Sequence, residues 1–252
     1  MQILYYTGTG NSLQAAKRIG TLLETPIERL DKKFMASNRS LMSKKIMLVF
    51  PLYYAGAPKV VLDYISKTNL DSVTDIHVVV TRGATSGIVD KQFKKIAGDK
   101  FKSLHYVSMP GNYILQYASE NEDIMKKKIQ ESENEFINIA NQIKAGEYTI
   151  DNQSGLMRAV GKPVYGYFGM KLKKTDKNFL VMESCNGCEI CSRVCHVGNI
   201  EMQNNKPTWK GNCQECMACI QLCPQSSIDY GKGVLSRKRY KHPDISLNDL
   251  MK

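Results

Sequence analysis

The sequence predicts an α/β protein built on a five-stranded parallel sheet, with a small, separate, cysteine-rich domain after it. Three observations carry this. Short apolar runs alternate with segments of helical period over residues 1 to 148, a glycine-rich turn directly follows the first apolar run, and all eight cysteines fall between residues 185 and 223. The expected strands are Ile3 to Tyr6, Pro26 to Leu30, Ile46 to Phe50, Ile76 to Thr81 and Leu104 to Ser108, each short and nearly continuously apolar, as strands covered on both faces are. Between them, Ser12 to Leu23, Lys59 to Ser66 and Ile88 to Ala97 carry apolar residues at helical spacing. Met125, Ile129, Phe136, Ala140 and Ile143 mark one face of a long final helix, and Asp31 to Lys45 has weak periodicity and reads as mostly loop.

After Gly146 the pattern changes. Residues 149 to 178 form an expected linker arm, irregular because Gly161, Pro163, Gly166 and Gly169 interrupt it, and suited to interdomain packing more than to lying on a bilayer. Residues 179 to 230 hold the cysteines, and residues 231 to 252 form a basic tail containing Ser236-Arg237-Lys238-Arg239-Tyr240-Lys241.

With 252 residues and 42% hydrophobic residues, the chain can bury one large core or two smaller ones and is not a disordered chain. Its longest uncharged run, Ile46 to Pro58, contains two prolines and is shorter than the roughly 20 apolar residues of a membrane-spanning helix, so no membrane span is expected. The strand-like run begins at the first residues and leaves no room for a signal peptide, which points to the cytoplasm, where thiols stay reduced.

The cysteines repeat a C-x2-C-x2-C-x3-C pattern: Cys185, Cys188, Cys191 and Cys195, then Cys213, Cys216, Cys219 and Cys223. A short loop of this spacing can wrap three corners of a cuboidal iron-sulfur cluster and leaves the fourth corner to a residue from elsewhere. Zinc closes with two C-x2-C pairs and does not need the triple spacing twice, and disulfides do not suit a reducing compartment. The segment from Phe179 to Tyr230 resembles a bacterial two-[4Fe-4S] ferredoxin. That resemblance implies one cluster on Cys185, Cys188, Cys191 and Cys223, and a second on Cys213, Cys216, Cys219 and Cys195. The second repeat ends Cys223-Pro224 as in ferredoxins, whereas the first ends Cys195-His196. His196 reads as a backbone-bonding or surface residue, and Trp209, four residues before Cys213, as a shield for a cluster.

The turn Thr7-Gly8-Thr9-Gly10-Asn11-Ser12 joins the first strand to the first helix. Unpaired backbone N–H groups at a helix N-terminus, with the helix dipole behind them, make an anion site there. It lacks the G-K-[ST] ending of a Walker loop and is not a G-x-G-x-x-G fingerprint. It resembles the phosphate loop of flavodoxins, which holds the 5′-phosphate of FMN. A flavodoxin-like doubly wound sheet has strand order 2-1-3-4-5 and binds its ligand at the carboxyl ends of strands one, three and four. The loops there are Pro51 to Pro58 and Thr81 to Gly87, so the resemblance puts Tyr53, Tyr54, Ala55, Gly56, Thr81, Arg82 and Gly83 around the isoalloxazine. The second loop lacks the aromatic that commonly covers the other flavin face; Tyr113, Tyr165, Tyr167, Phe168 or the ferredoxin-like segment are the candidates to replace it.

As a whole the chain resembles the flavodoxin-ferredoxin fusion proteins of anaerobic bacteria and archaea, in the TGTGNS loop, the MPGNYI segment, Asp176 to Phe179, Lys206 to Trp209, and Arg239-Tyr240. The resemblance implies a cytoplasmic electron-transfer flavoprotein that relays electrons between FMN and two [4Fe-4S] clusters to or from a partner oxidoreductase. The alternative is a flavin-dependent reductase acting directly on a nicotinamide or a small organic substrate, for which Arg82 is the one pointer. No general acid, base or nucleophile is evident, and His77, His105, His196 and His242 lack ligand spacing. The formal charge of +11 divides into +5 for residues 1 to 148, +4 for 149 to 178, −2 for 179 to 230 and +4 for 231 to 252. Bound clusters and FMN would lower it to roughly +5, and a redox partner with an acidic docking surface suits the remainder better than nucleic acid does.

Overall fold

A computed structural model of the protein describes residues 1–36, 41, 43–83, 87–151, 156–231 and 233–251, with backbone alone for 156–158. Strands β1 (Gln2–Tyr5), β2 (Ile27–Arg29), β3 (Lys45–Pro51), β4 (Asp75–Arg82) and β5 (Phe101–Ser108) form one parallel sheet in the order β2-β1-β3-β4-β5. This is the flavodoxin-like architecture, and all five strands lie where the apolar runs predict them. One burial expectation changes: β2 is an edge strand whose three residues are only half-buried.

Connecting the strands are α1 (Asn11–Leu22), α2 (Lys32–Ala36), α3 (Lys59–Lys67), α4 (Val89–Ala97) and, after β5, α5 (Glu122–Ala145). The short α2 lies inside the stretch expected to be mostly loop, of which residues 37–40 and 42 are outside the described residues. Alternate strand residues face opposite layers, as the pleat requires. Leu4, Leu48, Val78 and Leu104 pack with Phe34, Val61, Ile65 and Phe93 of α2, α3 and α4. Ile3, Met47, Val79 and Val107 pack with Leu13 and Ile19 of α1 and Phe136 and Ile139 of α5. On α5 the buried face centres on Phe136, Ala140 and Ile143 as predicted, while Met125 and Ile129 are half-buried.

The linker expectation is corrected. Residues Leu156–Thr175 form one helix, α6, with Pro163 inside it. Its glycines do not break it because tertiary packing outweighs propensity. Phe168, Leu172 and Thr175 are buried, and Gly161 lets the helix close onto the sheet domain: a Cβ there would lie 2.6 Å from Ile88 Cγ2. Among the described residues no helix is long and apolar enough to cross a membrane.

The cysteine-bearing segment has two antiparallel pairs, β6 (Phe179–Val181) with β9 (Ile228–Tyr230) and the hairpin β7 (Ile200–Gln203) with β8 (Lys206–Trp209). Two one-turn helices, α7 (Ile190–Arg193) and α8 (Ala218–Gln221), stand at equivalent places in the two cysteine repeats. It does not fold as a bead on a string. Val194, Ala218 and Leu222 join the core formed by α1 and α5, and so do Ile245 and Leu250, the latter in the terminal turn α9 (Leu247–Leu250).

Candidate functional site

The carboxyl ends of β1, β3 and β4 open into a cleft of about 470 Å³. Thr7, Gly8, Thr9, Asn11 and Ser12 form one wall. Gly10 turns the chain with φ 110°, a conformation L side chains rarely adopt, and its N–H donates to Thr7 Oγ1 (3.1 Å). The first helical bond of α1 runs from Gln14 N–H to Gly10 O, so the earlier N–H groups stand at the helix end facing the cleft. The loop's side chains are engaged with the protein. Ser12 shares a hydrogen bond with Thr81 Oγ1 (2.7 Å), Asn112 Nδ2 donates to Thr9 Oγ1, and Asn11 Nδ2 donates to Pro110 O (2.9 Å). What this wall offers an anion is therefore backbone N–H, as in a phosphate cradle.

The second wall is the loop after β3. Tyr53 and Gly56 exchange two backbone hydrogen bonds of 2.8 Å around Tyr54 (φ 46°) and Ala55 (φ 65°). A tight turn with two non-glycine residues of positive φ stores strain, which the surrounding packing holds in place. It aims the Tyr54 ring at Phe168 of α6, stacked at 4.5 Å with an interplanar angle of 12°. Tyr53, Tyr54 and Ala55 line the cleft, as do Thr81, Arg82 and Gly83 after β4. Gly56 is turned instead toward Tyr165, whose hydroxyl donates to Ala57 O (2.7 Å). Arg82 is half-buried, with its guanidinium 4.6 Å from the centre of the Tyr106 ring. Residues 84–86 of this loop lie outside the described residues. Of the aromatics expected to cover a second face, Tyr113 and Phe168 reach the cleft, Tyr165 packs on Gly56, and Tyr167 is 57% exposed.

A polar group at the inner wall was not foreseen. Lys171 Nζ donates to Tyr54 Oη (2.7 Å) and Tyr113 Oη (2.9 Å) and pairs with Glu215 Oε1 at 2.8 Å. The two tyrosine hydroxyls also bond each other, and Tyr113 donates to Glu215 Oε2 (3.2 Å). Burial raises both tyrosines, Tyr113 far above the usual value, so both are neutral hydroxyls. Burial alone would lower Lys171, but its bonds to Glu215 and Tyr54 more than reverse that and keep it charged. The signal available in the sequence was Glu215, an acid set between two cysteines of a repeat, and Lys171, seven residues beyond Val164 on the face of α6 that carries Phe168.

None of the eight cysteines forms a disulfide. They separate into two sets around two small cavities: Cys195, Cys213, Cys216 and Cys219 line one, and Cys185, Cys188, Cys191 and Cys223 the other. Each set takes three thiols from one repeat and the last from the other. Backbone N–H groups of Asn199, Glu215 and Ser227 donate to Cys195, Cys213 and Cys223 sulfurs at 3.2 to 3.4 Å. Burial pushes the Cys191 thiol up to about 11 and Cys219 well above the usual value. These thiols are therefore protonated at neutral pH. Among the described residues no group of three or more His, Cys, Asp or Glu side chains is arranged to hold a metal ion. The sorting of the sulfurs into two sets of four is the one that the ferredoxin resemblance implies.

Trp209 lines the cavity of Cys195, Cys213, Cys216 and Cys219, the second cysteine set, and stacks on Phe179 at 4.4 Å. His196 lines the same cavity and packs against Tyr6 at 4.9 Å. It is 4% exposed and so not a surface residue, and its main-chain O accepts from Lys32 N–H (2.8 Å), a bond in which the imidazole takes no part. Cys216 and Met217 line both this cavity and the large cleft, and a Cβ on Gly8 would lie 2.6 Å from Cys216 O.

No family model matches the chain, and no curated protein does. Among solved structures it is similar to a Streptococcus pneumoniae TIGR4 flavodoxin (15% identity, TM-score 0.37, 57% of this chain and 97% of that one). It is also similar to the Trp repressor binding protein from Bacillus subtilis (19%, 0.39, 62% and 100%) and an azoreductase from Bacillus anthracis str. Sterne (12%, 0.38, 56% and 99%). At these values the architecture rests on the strand order within the chain itself.

Proposed function

We propose that the protein is an electron-transfer flavoprotein that binds FMN in the large cleft and two [4Fe-4S] clusters on the two cysteine sets, and exchanges electrons with a partner oxidoreductase. The observation that carries this reading is the shared wall: Cys216 and Met217 border both the cleft and the cavity of the second cysteine set. FMN exchanges one or two electrons and each cluster one, so the pair can join a two-electron donor to a one-electron chain.

In this reading the backbone N–H groups of residues 8, 9, 11 and 12 bind the phosphate, and Gly10, whose own N–H donates to Thr7 Oγ1, makes the turn. Tyr53, Tyr54, Ala55, Thr81, Arg82 and Gly83 border the ring, and Gly56 supports the turn from behind. Phe168, stacked on Tyr54, and Tyr113 exclude water from the inner wall. Trp209 and Phe179 do the same at the second cysteine set. Location in the cytoplasm and an acidic partner surface belong to the same proposal.

Anaerobic reconstitution is expected to give about eight irons and one FMN per chain, with Cys216→Ser altering the EPR signal of one cluster only. Failure to retain flavin after FMN addition, or iron without cluster absorbance, would reject the reading.

A second reading, direct reduction of a small substrate at the flavin, is favoured by one observation. Arg82 lines the cleft, where its guanidinium supplies a counter-charge for an anionic substrate beside the flavin. Stopped-flow mixing with NADH and NADPH separates the two: flavin bleaching at catalytic rates selects the reductase, and none selects the carrier.

A further inference from the structure

The segment after β9 is the basic tail of residues 231 to 252. It runs back across both halves of the molecule. Arg239 Nη1 donates to Ile220 O (3.1 Å), between Cys219 and Cys223. Tyr240 N–H donates to Gln221 Oε1 (2.8 Å), and Gln221 Nε2 donates to Asn112 O (2.7 Å) beside the cleft. The Tyr240 hydroxyl donates to Asn11 Oδ1 (2.6 Å), at the first residue of α1. Two residues on, His242 N–H donates to Thr9 O (2.8 Å). The side chains of His242 and Ile245 close over Gly10, 2.9 and 3.2 Å from where a Cβ would stand. Asn11, Gln221, Tyr240, His242 and Ile245 are all buried.

These bonds form one chain from α8, which bears Cys219, to the N-terminal turn of α1. A buried hydrogen bond holds its partners to a few tenths of an ångström, and a loop that binds an anion through backbone N–H depends on that placement. Ordering α8 around a cluster therefore fixes Gln221, Gln221 fixes Tyr240, and Tyr240 fixes Asn11.

We propose that Tyr240 is a positioning residue that couples the two cofactor sites, so that the phosphate loop holds flavin tightly only when the cysteine region is loaded. This rests on the flavin and cluster reading above. By linkage the effect is reciprocal, and bound flavin protects the clusters.

The test uses the reconstituted full chain. FMN dissociation constants are measured by recovery of flavin fluorescence, before and after anaerobic removal of iron with a chelator. In the wild type, iron removal is expected to weaken FMN on the order of 10-fold. In Tyr240→Phe, FMN is expected to bind about 10-fold more weakly with iron in place, and iron removal to change it less than about 3-fold. Gln221→Leu cuts the chain at its other end without touching the loop, and is expected to lose the same coupling while keeping its secondary structure by circular dichroism. Equal FMN affinity in the wild type with and without iron would overturn the proposal, as would full coupling in both variants. A wild type that takes up neither flavin nor iron would instead reject the functional reading itself.

Discussion

The contact between Gly8 and Cys216 joins the turn at Thr7 to Ser12, the proposed phosphate loop, to the cysteine region and can be broken by one methyl group. In Gly8→Ala the new Cβ would sit 2.6 Å from the Cys216 carbonyl oxygen, where ordinary contact begins at 3.4 Å. The two backbones would have to separate by about 0.8 Å, which is steep on any van der Waals potential. Neither side yields easily. Thr7 and Gly10 are tied by a hydrogen bond, and Met217 and Ala218, next to Cys216, are buried. Overpacking of this kind costs about 1–3 kcal/mol. For a domain of this size that lowers Tm by roughly 3–10 °C. If the strain falls on the loop, FMN affinity drops by about 5- to 150-fold for the same energy. The assay is thermal unfolding with and without FMN, alongside fluorescence titration. A Tm within about 1 °C of wild type together with unchanged affinity would refute the placement of the cysteine region against the phosphate loop, and with it the shared wall.

Three further outcomes follow from other parts of the structure. Gly166 and Gly169 lie in α6 with no atom within 4 Å of a built Cβ, so Gly166→Ala and Gly169→Ala should each stabilise the protein by about 0.5–1 kcal/mol in urea unfolding; no gain from either would argue against a continuous helix. Lys171→Met should cost about 3–5 kcal/mol, because it strips the cation from a Glu215 side chain only 1% exposed, and adding Glu215→Gln should recover most of that loss. A single variant within 1 kcal/mol of wild type would show that the pair is not buried as described. Burial holds His77 and His242 down to about 4 from 6.5, so the unfolded chain binds more protons than the native one between those values. Asp75 opposes this at His77 and Asp244 at His242, without reversing it. Stability should therefore be fully present above pH 6.5, decline by on the order of 3 kcal/mol per histidine as pH falls, and level off near pH 4. A flat profile by chemical denaturation over that range would contradict the burial.

Much of the sheet domain was legible because its signals are local. Ile46 to Phe50 and Ile76 to Thr81 read as strands from composition alone, and the strand-to-helix turn at Thr7 to Ser12 needs only its own glycines and hydroxyls. The misreading of α6 has a physical cause. Propensity counts Gly161, Pro163, Gly166 and Gly169 against a helix, but Gly161 is what allows the approach to Ile88, and Phe168, Leu172 and Thr175 supply the burial that offsets the rest. Without that helix's phase the aromatics Tyr165, Tyr167 and Phe168 could not be ranked. In the folded chain Val164, Phe168, Lys171 and Thr175, at i, i+4, i+7 and i+11, turn toward the site, and Tyr167 turns to solvent.

The basic tail shows where charge counting stops being informative. Residues 231 to 252 carry a formal +4, and a net sum treats each cation as available to a partner. Arg237 Nη1 donates to Ile114 O (2.6 Å) and Arg239 to Ile220 O of α8 and Ile228 O of β9, so these guanidinium groups are spent on hydrogen bonds to the chain's own carbonyls. Lys238 pairs with Glu122 of α5, and Lys17 with Asp249. A guanidinium that satisfies buried carbonyls is tied by the geometry of the fold and contributes little to steering a partner, which depends on the field outside the surface. Charge reversal at Arg239 should therefore act on the β9 and α8 junction before it acts on association rates. Exposed lysines lie elsewhere on the molecule as well, among them Lys91 and Lys95 of α4, Lys126 of α5, and Lys173 and Lys174 of α6. On the proposed electron-transfer reading, an acidic partner would therefore meet exposed lysines such as those of α4 and α6 sooner than the guanidinium groups of the tail.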